Sequence, residues 1–222
     1  MTLEFYNDGF PQMHTVFPDG ASLGKVSVQH VTPSAHDVAF ASIRAMQHGR
    51  GVIHEGETIC QILRNGNMWM SDTPDERRDH RSAKWAAKYY GGHVLIGGLG
   101  LGMFPLFAAL QETVTKVTVI EINPEVIEFV VPYLRAAIEA QGQDPDKLEV
   151  IQADLMEWKP PRGKKYETLW FDIWLDLCTD NLPQMATLNR RYGRRTAGWR
   201  GNWGEELLKA RRRQEQQNHW GW

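Results

Sequence analysis

The amino-acid sequence predicts an α/β fold built on a mostly parallel sheet of about five strands flanked by helices. Three observations lead to this prediction. Short apolar runs alternate with helical stretches from about residue 92 onward, a glycine-rich turn follows the first run, and acidic residues stand where the later runs end. Buried parallel strands form such continuous apolar runs, and helices supply the crossovers between them.

Length and composition describe an ordinary folded domain. The chain has 222 residues, of which 42% are hydrophobic and 23% are charged, and its net charge is −2. This length suits one main core with a small appendage, and the charge gives no overall attraction for nucleic acid or anionic lipid. Because the sequence has no apolar leader or spanning stretch and only two cysteines, Cys60 and Cys178, we expect a cytoplasmic protein without a disulfide framework or metal site.

Residues 1–75 are predicted to form a small β-rich N-terminal extension. Proline and glycine interrupt this region repeatedly, and the motif RNGN between two apolar runs predicts a hairpin because Asn-Gly favours a tight turn. Ser34 to Gln47 is predicted to be a short helix opened by a serine cap. A longer helix is expected from Pro74-Asp75-Glu76 to about Tyr90, where a pair of glycines stops it.

The following region is predicted to alternate between strands and helices. The strands are HVLIGG, KVTVIEI, LEVIQADL and ETLWFDIW, with a further short strand near Ala197 to Trp199. Pro105 suits the first turn of the first helix, and Asn123 caps the second. Pro132 is expected to kink or end that second helix because it lacks an N–H group. Two more helices are expected, from Leu182 to about Tyr192 and from Gly204 to about Gln217.

The strongest chemical signal is the turn Gly98-Leu99-Gly100-Leu101-Gly102 after the first of these strands. Glycines allow the sharp turn into a helix and let a ligand approach the N–H groups at the helix N-terminus. The spacing G-x-G-x-G differs from the dinucleotide pattern G-x-G-x-x-G. Glu121 lies nineteen residues after Gly102, at the end of the next strand, where an acid can bind both ribose hydroxyls. Together these features favour a nucleotide-type cofactor over a turn that needs glycine only for its own geometry.

Acidic residues also follow the third and fourth strands. Asp154 and Asp172 stand at these ends, so that four consecutive strand ends converge on one crevice at the carboxyl edge of the sheet. Asp154 suits a hydrogen bond from an adenine amine, and the N–H of Leu155 suits a ring nitrogen; the alternative is an acid that caps the following turn. Asp172 lies where the reacting group would be, and is the candidate base that positions or deprotonates an acceptor.

The stretch from Gly92 to Asp176 resembles the class I S-adenosylmethionine-dependent methyltransferases, and within that superfamily the spermidine synthase-like branch. The similarity rests on VLIGGLGLG, VTVIEINPEVIEF, VIQADLMEW and YETLWFDIWLD, and extends to the hairpin and helix start MWMSDTPDERRDH. It implies a Rossmann-like methyltransferase fold over residues 76–200 with S-adenosylmethionine as the cofactor. The implied cofactor-binding residues are Gly98, Gly100, Gly102, Glu121, Ile122, Asp154 and Leu155; the implied substrate-binding residues are Asp75, Glu76, Trp174 and Asp176; the implied catalytic residue is Asp172.

Two departures distinguish this sequence from the aminopropyltransferases of that branch. Their glycine-rich loop contains an aspartate that holds the aminopropyl amine, and Gly100 occupies its place here. Asp172 and Asp176 are present, but the proline that normally follows the second acid is not. The sequence therefore favours methyl transfer to an unidentified acceptor. The alternatives are aminopropyl transfer from decarboxylated S-adenosylmethionine, and a non-catalytic protein that binds S-adenosylmethionine or nucleic acid.

Residues 201–222 are predicted to form a basic C-terminal helix and tail. Positive charges concentrate between Arg190 and Arg213. The solvated face of a terminal helix explains these charges, but basic residues mixed with aromatic rings also suit single-stranded nucleic acid. The rings would otherwise anchor the tail to the core. This basic end is similar to that of short methyltransferase-like proteins encoded by phages, and a homo-oligomer is compatible with the sequence. The tryptophans concerned are Trp199, Trp203, Trp220 and Trp222.

Overall fold

The computed structural model describes residues 2–36, 38, 53, 54 and 56–219, whose strands form two sheets. Most of the helix predicted from Ser34 to Gln47 lies outside these residues, as do Trp220 and Trp222.

The first sheet is antiparallel and its strands follow chain order. They are β1 (Ser22–Leu23), β2 (Val26–Val31), β3 (Ile59–Arg64) and β4 (Asn67–Ser71). Asn65 and Gly66 form the turn between β3 and β4, and both have positive φ angles, 52° and 74°. A two-residue hairpin of the type favoured by Asn-Gly requires positive φ at both positions. The predicted β-rich character of this region is therefore confirmed.

The second sheet has five parallel strands in the order β7-β6-β5-β8-β9. They are β5 (Gly92–Gly97), β6 (Val114–Glu121), β7 (Leu148–Gln152), β8 (Tyr166–Phe171) and β9 (Thr196–Asn202). The chain moves outward from β5 through β6 and β7, and then returns to the other side of β5 through β8 and β9. Open α/β sheets bind ligands at the carboxyl ends of strands where the strand order reverses, which here is between β5 and β8. The predicted Rossmann-like α/β class with about five parallel strands is confirmed.

Helices cover both faces of the parallel sheet. Val94 and Ile96 point into a core shared with the helices over residues 81–90, 103–109 and 124–140, whereas Leu95 points to the opposite face, where the helix over residues 182–193 packs. Strand residues alternate between faces in this way. Within the described ranges, no helix is long and apolar enough to cross a membrane. The helices are α1 (Pro74–Asp79), α2 (Arg81–Tyr90), α3 (Met103–Ala109), α4 (Pro124–Ala140), α5 (Leu182–Gly193) and α6 (Glu205–His219).

The helix predicted from Pro74 to Tyr90 is in fact two helices, α1 and α2, that meet at His80. The ring Nδ1 of His80 lies 2.8 Å from the carbonyl oxygen of Glu76, while the backbone N–H of His80 bonds the same oxygen at 3.3 Å. The Glu76 carbonyl thus accepts from both the backbone and the side chain of His80, and such local side-chain bonds are common at helix ends.

Helix α4 continues past Pro132 to Ala140, so the helix does not end at the proline, and the kink expected there stays a prediction. The proline removes one backbone hydrogen bond. Apolar burial on both sides of the proline offsets that loss. The buried residues of α4 are Val126, Phe129, Val130, Leu134, Ala137 and Ile138.

The segment before β1 packs against the helices of the parallel sheet. Phe10 contacts Phe107 of α3 with ring centroids 5.4 Å apart, and Phe17 stacks on Phe129 of α4 at 5.9 Å and 11°. These rings belong to the same buried cluster as the parallel sheet, so the two sheets share one hydrophobic core. The division into residues 1–75, 76–200 and 201–222 stays a prediction, and β9 extends to Asn202.

A buried carboxylate, Asp72, organises the junction between the hairpin and α1. Asp72 is 0% exposed and accepts hydrogen bonds from the Tyr6 hydroxyl at 2.9 Å, the Met13 N–H at 3.0 Å and the Cys60 N–H at 2.7 Å. Arg77 donates to the Asp72 carbonyl at 2.7 Å, and its guanidinium lies 3.6 Å from the centroid of the Tyr6 ring. Strands β3 and β4, the N-terminal segment and α1 are thus joined through one polar centre.

We expect Asp72→Ala to lower the free energy of unfolding by about 3 kcal/mol or more, because each buried donor left without a partner costs about 1–3 kcal/mol. Guanidinium denaturation followed by circular dichroism measures the loss. Glu139→Ala, at an exposed position of α4, is the control and should change stability by less than about 0.5 kcal/mol. Equal stability of the two variants would show that Asp72 is not a structural centre.

Candidate functional site

A cavity of about 590 Å³ lies at the carboxyl ends of the central strands of the parallel sheet. Its volume is within the range of about 300–1,000 Å³ that is common for small-molecule sites. In the described part of the chain, no group of three or more His, Cys, Asp or Glu side chains is arranged to hold a metal ion. The predicted cofactor-binding and catalytic residues that line the cavity are Gly98, Gly100, Glu121, Ile122, Asp154, Leu155 and Asp172.

Backbone hydrogen bonds beyond the strand ends hold these residues side by side. The N–H of Gly98 donates to Ile120 at 2.9 Å, and the N–H of Asp172 donates to Gly97 at 2.8 Å. The N–H of Ala153 donates to the carbonyl of Glu121 at 2.9 Å. Because parallel strands end at one edge of the sheet, continuing the ladder by one residue brings the acids and the glycine turn together.

The glycine turn is left-handed at three positions and closely packed at each. Gly98, Gly100 and Gly102 have φ angles of 93°, 50° and 81°. A β-carbon at Gly98 would overlap the backbone of Asp172, and one at Gly100 would overlap the sulfur of Met70. Packing within the protein therefore requires glycine at Gly98, which is the alternative that the sequence left open, whereas a side chain at Gly100 would have to displace the flexible end of Met70. Gly102 borders a small adjoining cavity and does not line the large one.

Glu121 fixes the glycine turn to the end of β6. Its carboxylate is almost buried, and the two oxygens accept hydrogen bonds from the N–H groups of Leu99 and Asn123, both at 2.8 Å. A carboxylate has about four acceptor positions, so two remain for a ligand. The side chain of Asn123 accepts from the N–H of Glu125 at 3.0 Å, which confirms the predicted cap of α4.

The end of the cavity around Asp154, which we call the far end, combines an exposed acid with apolar walls. Asp154 is exposed, and its Oδ1 accepts from the N–H of Met156 at 2.7 Å, so it does cap the following turn. Leu155 is 3% exposed and packs beneath the cavity, whereas Ile122 is 64% exposed at the rim. This end can hold a flat apolar ring with a polar edge.

At the other end of the cavity, around Asp172, which we call the near end, three titratable groups have pKa values displaced from their ordinary values. Burial, followed by the charges of Glu76 and Asp79, raises the pKa of Asp172 well above its ordinary value. Burial, followed by Asp79 and Asp75, raises the pKa of Glu76 to about 7. Burial lowers the pKa of His80, whose Nε2 lies 3.5 Å from Oδ2 of Asp172. The candidate base is therefore harder to ionise than an ordinary aspartate, and clustered displaced pKa values are typical of functional sites.

The four predicted substrate-binding residues divide into two pairs. Glu76 and Trp174 line the cavity. Asp75 instead forms an ion pair with Arg78 at 3.3 Å, because neighbouring residues of a helix point about 100° apart and only one of them can face the cavity. Asp176 is exposed, and it is not among the lining residues because the chain has already turned away from the strand end.

Most of the wall opposite the sheet was not predicted from the sequence. Arg64, Trp69 and Met70 of the hairpin line it, together with Trp203, whose Nε1 donates to Oδ2 of Asp79 at 2.9 Å. The Asn-Gly motif indicated the hairpin, but no pattern in the sequence indicates which face of a hairpin meets a second sheet. The role of His80 was missed for the same reason, since its partner Asp172 is adjacent only in space.

The tryptophans near the C-terminus that the structure describes are used inside the protein. Trp199 stacks with Trp170 at 6.1 Å and 18°, and Trp203 is held by its bond to Asp79. These contacts favour the anchoring role over a nucleic-acid surface. From Arg211 to Gln217, α6 is exposed to solvent. A nucleic-acid partner for this helix stays a prediction.

Among known proteins, similarity to this chain was found in solved structures and not in family models or curated sequences. No family model matches the sequence, and no curated protein matches it. Similar solved structures include a spermidine synthase from Thermotoga maritima, at 15% identity and a TM-score of 0.48, which covers 64% of this chain and 48% of that chain. A dimethyladenosine transferase from Plasmodium falciparum has 22% identity and a TM-score of 0.35, and covers 46% of this chain and 32% of that chain. A PRMT1 enzyme-prozyme complex from Trypanosoma brucei with AdoHcy has 22% identity and a TM-score of 0.31, with coverages of 43% and 28%.

The matched region is thus less than half of each of these three chains. The cavity itself is therefore the basis for assigning a function.

Gly100→Ala is expected to destabilise the protein more than Gly142→Ala. Both glycines have positive φ, which costs an alanine about 1–2 kcal/mol, but only Gly100 would also overlap a neighbour, the flexible end of Met70, and this overpacking, relieved by a rotamer change, adds about 0.5–1.5 kcal/mol. Chemical denaturation of the two variants measures the difference. Adding Met70→Ala to Gly100→Ala should recover only the overpacking part. Equal losses at the two glycines would contradict the close contact.

Stability should fall as pH rises from about 4.5 to about 7 and then level off, because over this range the folded protein retains a proton on Glu76 that the unfolded chain has released. Glu76→Gln removes this ionisation. We expect the melting temperature of the variant to equal that of wild type below about pH 4 and to exceed it above about pH 8. Glu139→Gln, at an exposed site, should follow wild type throughout; a pH-independent offset for Glu76→Gln would refute the displaced pKa.

Proposed function

We propose that the protein is an S-adenosylmethionine-dependent transferase, with methyl transfer as its reaction and the cavity as its site. The observation that carries the proposal is the position of Glu121. Two backbone N–H groups beside the glycine turn fix its carboxylate, which keeps further acceptor positions for a ligand. The cavity that it lines has Asp154 at one end and Asp172 at the other. A nucleoside with a polar substituent on its ribose fits this spatial order of three acids along the cavity.

The residues of the cavity fit the parts of the cofactor. Glu121 would accept the ribose hydroxyls, and Asp154 would accept the adenine amine while Ile122 and Leu155 contact the ring. The turn at Gly98 and Gly100 would border the methionine part. The bound sulfonium supplies an activated methyl group, so the protein mainly has to align an acceptor and take up a proton.

Two features of the hairpin favour methyl transfer over aminopropyl transfer. Arg64 lines the cavity with its guanidinium 5.9 Å from the ring centroid of Trp69. A guanidinium suits the carboxylate of S-adenosylmethionine, which the decarboxylated form lacks. Met70 covers Gly100, where aminopropyltransferases carry the aspartate for the amine.

The acceptor end supports aminopropyl transfer as the second candidate. Glu76 and Asp172 line this end together with the aromatic rings of Trp174 and Trp203. Indole faces attract cationic amines by cation–π interaction, and a carboxyl group that retains its proton donates a hydrogen bond to a neutral amine. An amine acceptor is compatible with either transfer. A cytoplasmic location, self-association and a relationship to phage proteins stay predictions.

Isothermal titration and thermal-shift assays with S-adenosylmethionine, S-adenosylhomocysteine, decarboxylated S-adenosylmethionine and NAD test the proposal. We expect the first two to raise the melting temperature, since a ligand that binds only the folded state stabilises it. Asp154→Asn keeps the oxygen that caps the turn but replaces the acceptor for the adenine amine with a donor. It should weaken binding about tenfold, or about 1.4 kcal/mol. The neighbouring Glu157→Gln, also exposed, is the matched control and should leave affinity unchanged.

Each outcome has a distinct meaning. If none of the four ligands binds, the proposed function fails. If the decarboxylated form binds more tightly than S-adenosylmethionine, aminopropyl transfer replaces methyl transfer. Equal weakening by Asp154→Asn and Glu157→Gln would show that the adenine does not meet Asp154.

A further inference from the structure

His80 is buried directly behind Asp172, the candidate base. Its residue surface is 6% exposed, and its ring lies among the rings of Trp170 at 5.5 Å, Phe104 at 5.9 Å and Phe10 at 6.4 Å. The aromatic surroundings confine the imidazole to one orientation, with Nδ1 toward α1 and Nε2 toward Asp172. The proposed function leaves this histidine without a role.

The contact of Nδ1 determines which tautomer His80 adopts. Nδ1 lies 2.8 Å from the carbonyl oxygen of Glu76, and a carbonyl oxygen can only accept a hydrogen bond. Nδ1 therefore carries a proton, and in the neutral ring Nε2 presents a lone pair. That lone pair faces Oδ2 of Asp172 at 3.5 Å, and both side chains are about nine-tenths buried. A lone pair facing a carboxylate is repulsive unless a proton lies between them.

The charged groups around the pair favour retention of that proton. From α1, Glu76 and Asp79 act on Asp172, and Asp79 also acts on His80. The N-terminal segment, α3 and β8 present the three aromatic rings named above. Burial and the two acids raise the pKa of Asp172, while burial lowers the pKa of His80. The same surroundings oppose a lone negative charge on Asp172 and favour a pair without net charge.

We infer that His80 and Asp172 hold one proton between Nε2 and Oδ2, and that His80 is the positioning residue that receives this proton when Asp172 acts as a base. A protonated carboxyl by itself cannot accept a second proton at neutral pH. Transfer of the resident proton to Nε2 leaves Asp172 able to accept one from the acceptor. His80 thus resolves the conflict between the burial of Asp172 and its proposed use.

The proton balance of this step closes within the protein. An acceptor that has gained a substituent gives up one proton, which passes to Asp172 as the resident proton passes to Nε2 of His80. The pair then contains one additional proton and its net charge changes from 0 to +1, which the carboxylates of Glu76 and Asp79 offset. This catalytic part of the inference rests on the proposed transferase function. The shared proton does not, because it is argued from the contacts of His80 and the surroundings of Asp172.

Long-range ¹H–¹⁵N correlation spectra of the isotopically labelled full-length protein test the shared proton, since ¹⁵N shifts report the protonation of each ring nitrogen. In wild type at neutral pH, we expect Nδ1 to be protonated and the Nε2 shift to be displaced toward that of a protonated nitrogen. In Asp172→Asn, which keeps the shape of the side chain but loses its proton, Nε2 should shift to the value of an unprotonated acceptor. His93, whose Nε2 lies 2.8 Å from the Thr118 hydroxyl, is the internal control and should not shift.

Identical Nε2 shifts in wild type and Asp172→Asn would overturn the inference, as would a neutral ring with its proton on Nε2. If the variant does not fold, the ¹³Cγ shift of Asp172 in wild type decides: an ionised carboxylate beside an unprotonated Nε2 at neutral pH also overturns it. These spectra need no cofactor. Failure of S-adenosylmethionine to bind would leave the shared proton standing, and loss of the shared proton would leave the cofactor site standing.

Discussion

The close approach of Met70 to Gly100 is the contact on which the site depends. It sets the N-terminal hairpin against the glycine turn, so that hairpin residues and the strand ends line one partly open cavity. A side chain at position 100 would have to displace the sulfur of Met70. The glycine turn therefore serves the assembly of the two sheets as directly as it serves a ligand, and a substitution that affects one affects the other.

The chemistry at the near end of the cavity follows from the burial of its side chains. Asp172, Glu76 and His80 are largely removed from water, and desolvation is the leading cause of all three displaced pKa values. Burying such groups opposes stability, whereas groups that exchange protons near neutral pH are what acid–base chemistry requires. The apolar core that both sheets share, and the polar centre at Asp72, supply stability outside the site.

The sequence was sufficient to predict what depends on neighbouring residues in the chain. The alternation of apolar runs and helices predicted the parallel sheet, and the Asn123 cap and the Asn65-Gly66 turn follow from local rules. Pro132 shows the limit of such rules, because burial at distant positions decides whether a helix continues. The wall opposite the sheet and the pairing of His80 with Asp172 depend on contacts between remote segments, which a single sequence does not encode in any local pattern.

The bond between Trp203 and Asp79 has a consequence for the order in which the molecule is built. It joins residues 124 positions apart, and contacts of such separation lose the most chain entropy on closure and form slowly. A chain emerging from the ribosome completes β5 to β8, and with them the floor of the cavity, before residue 203 is available. The strands of the floor are therefore synthesised before Trp203, and this later residue finishes the wall where an acceptor would be held.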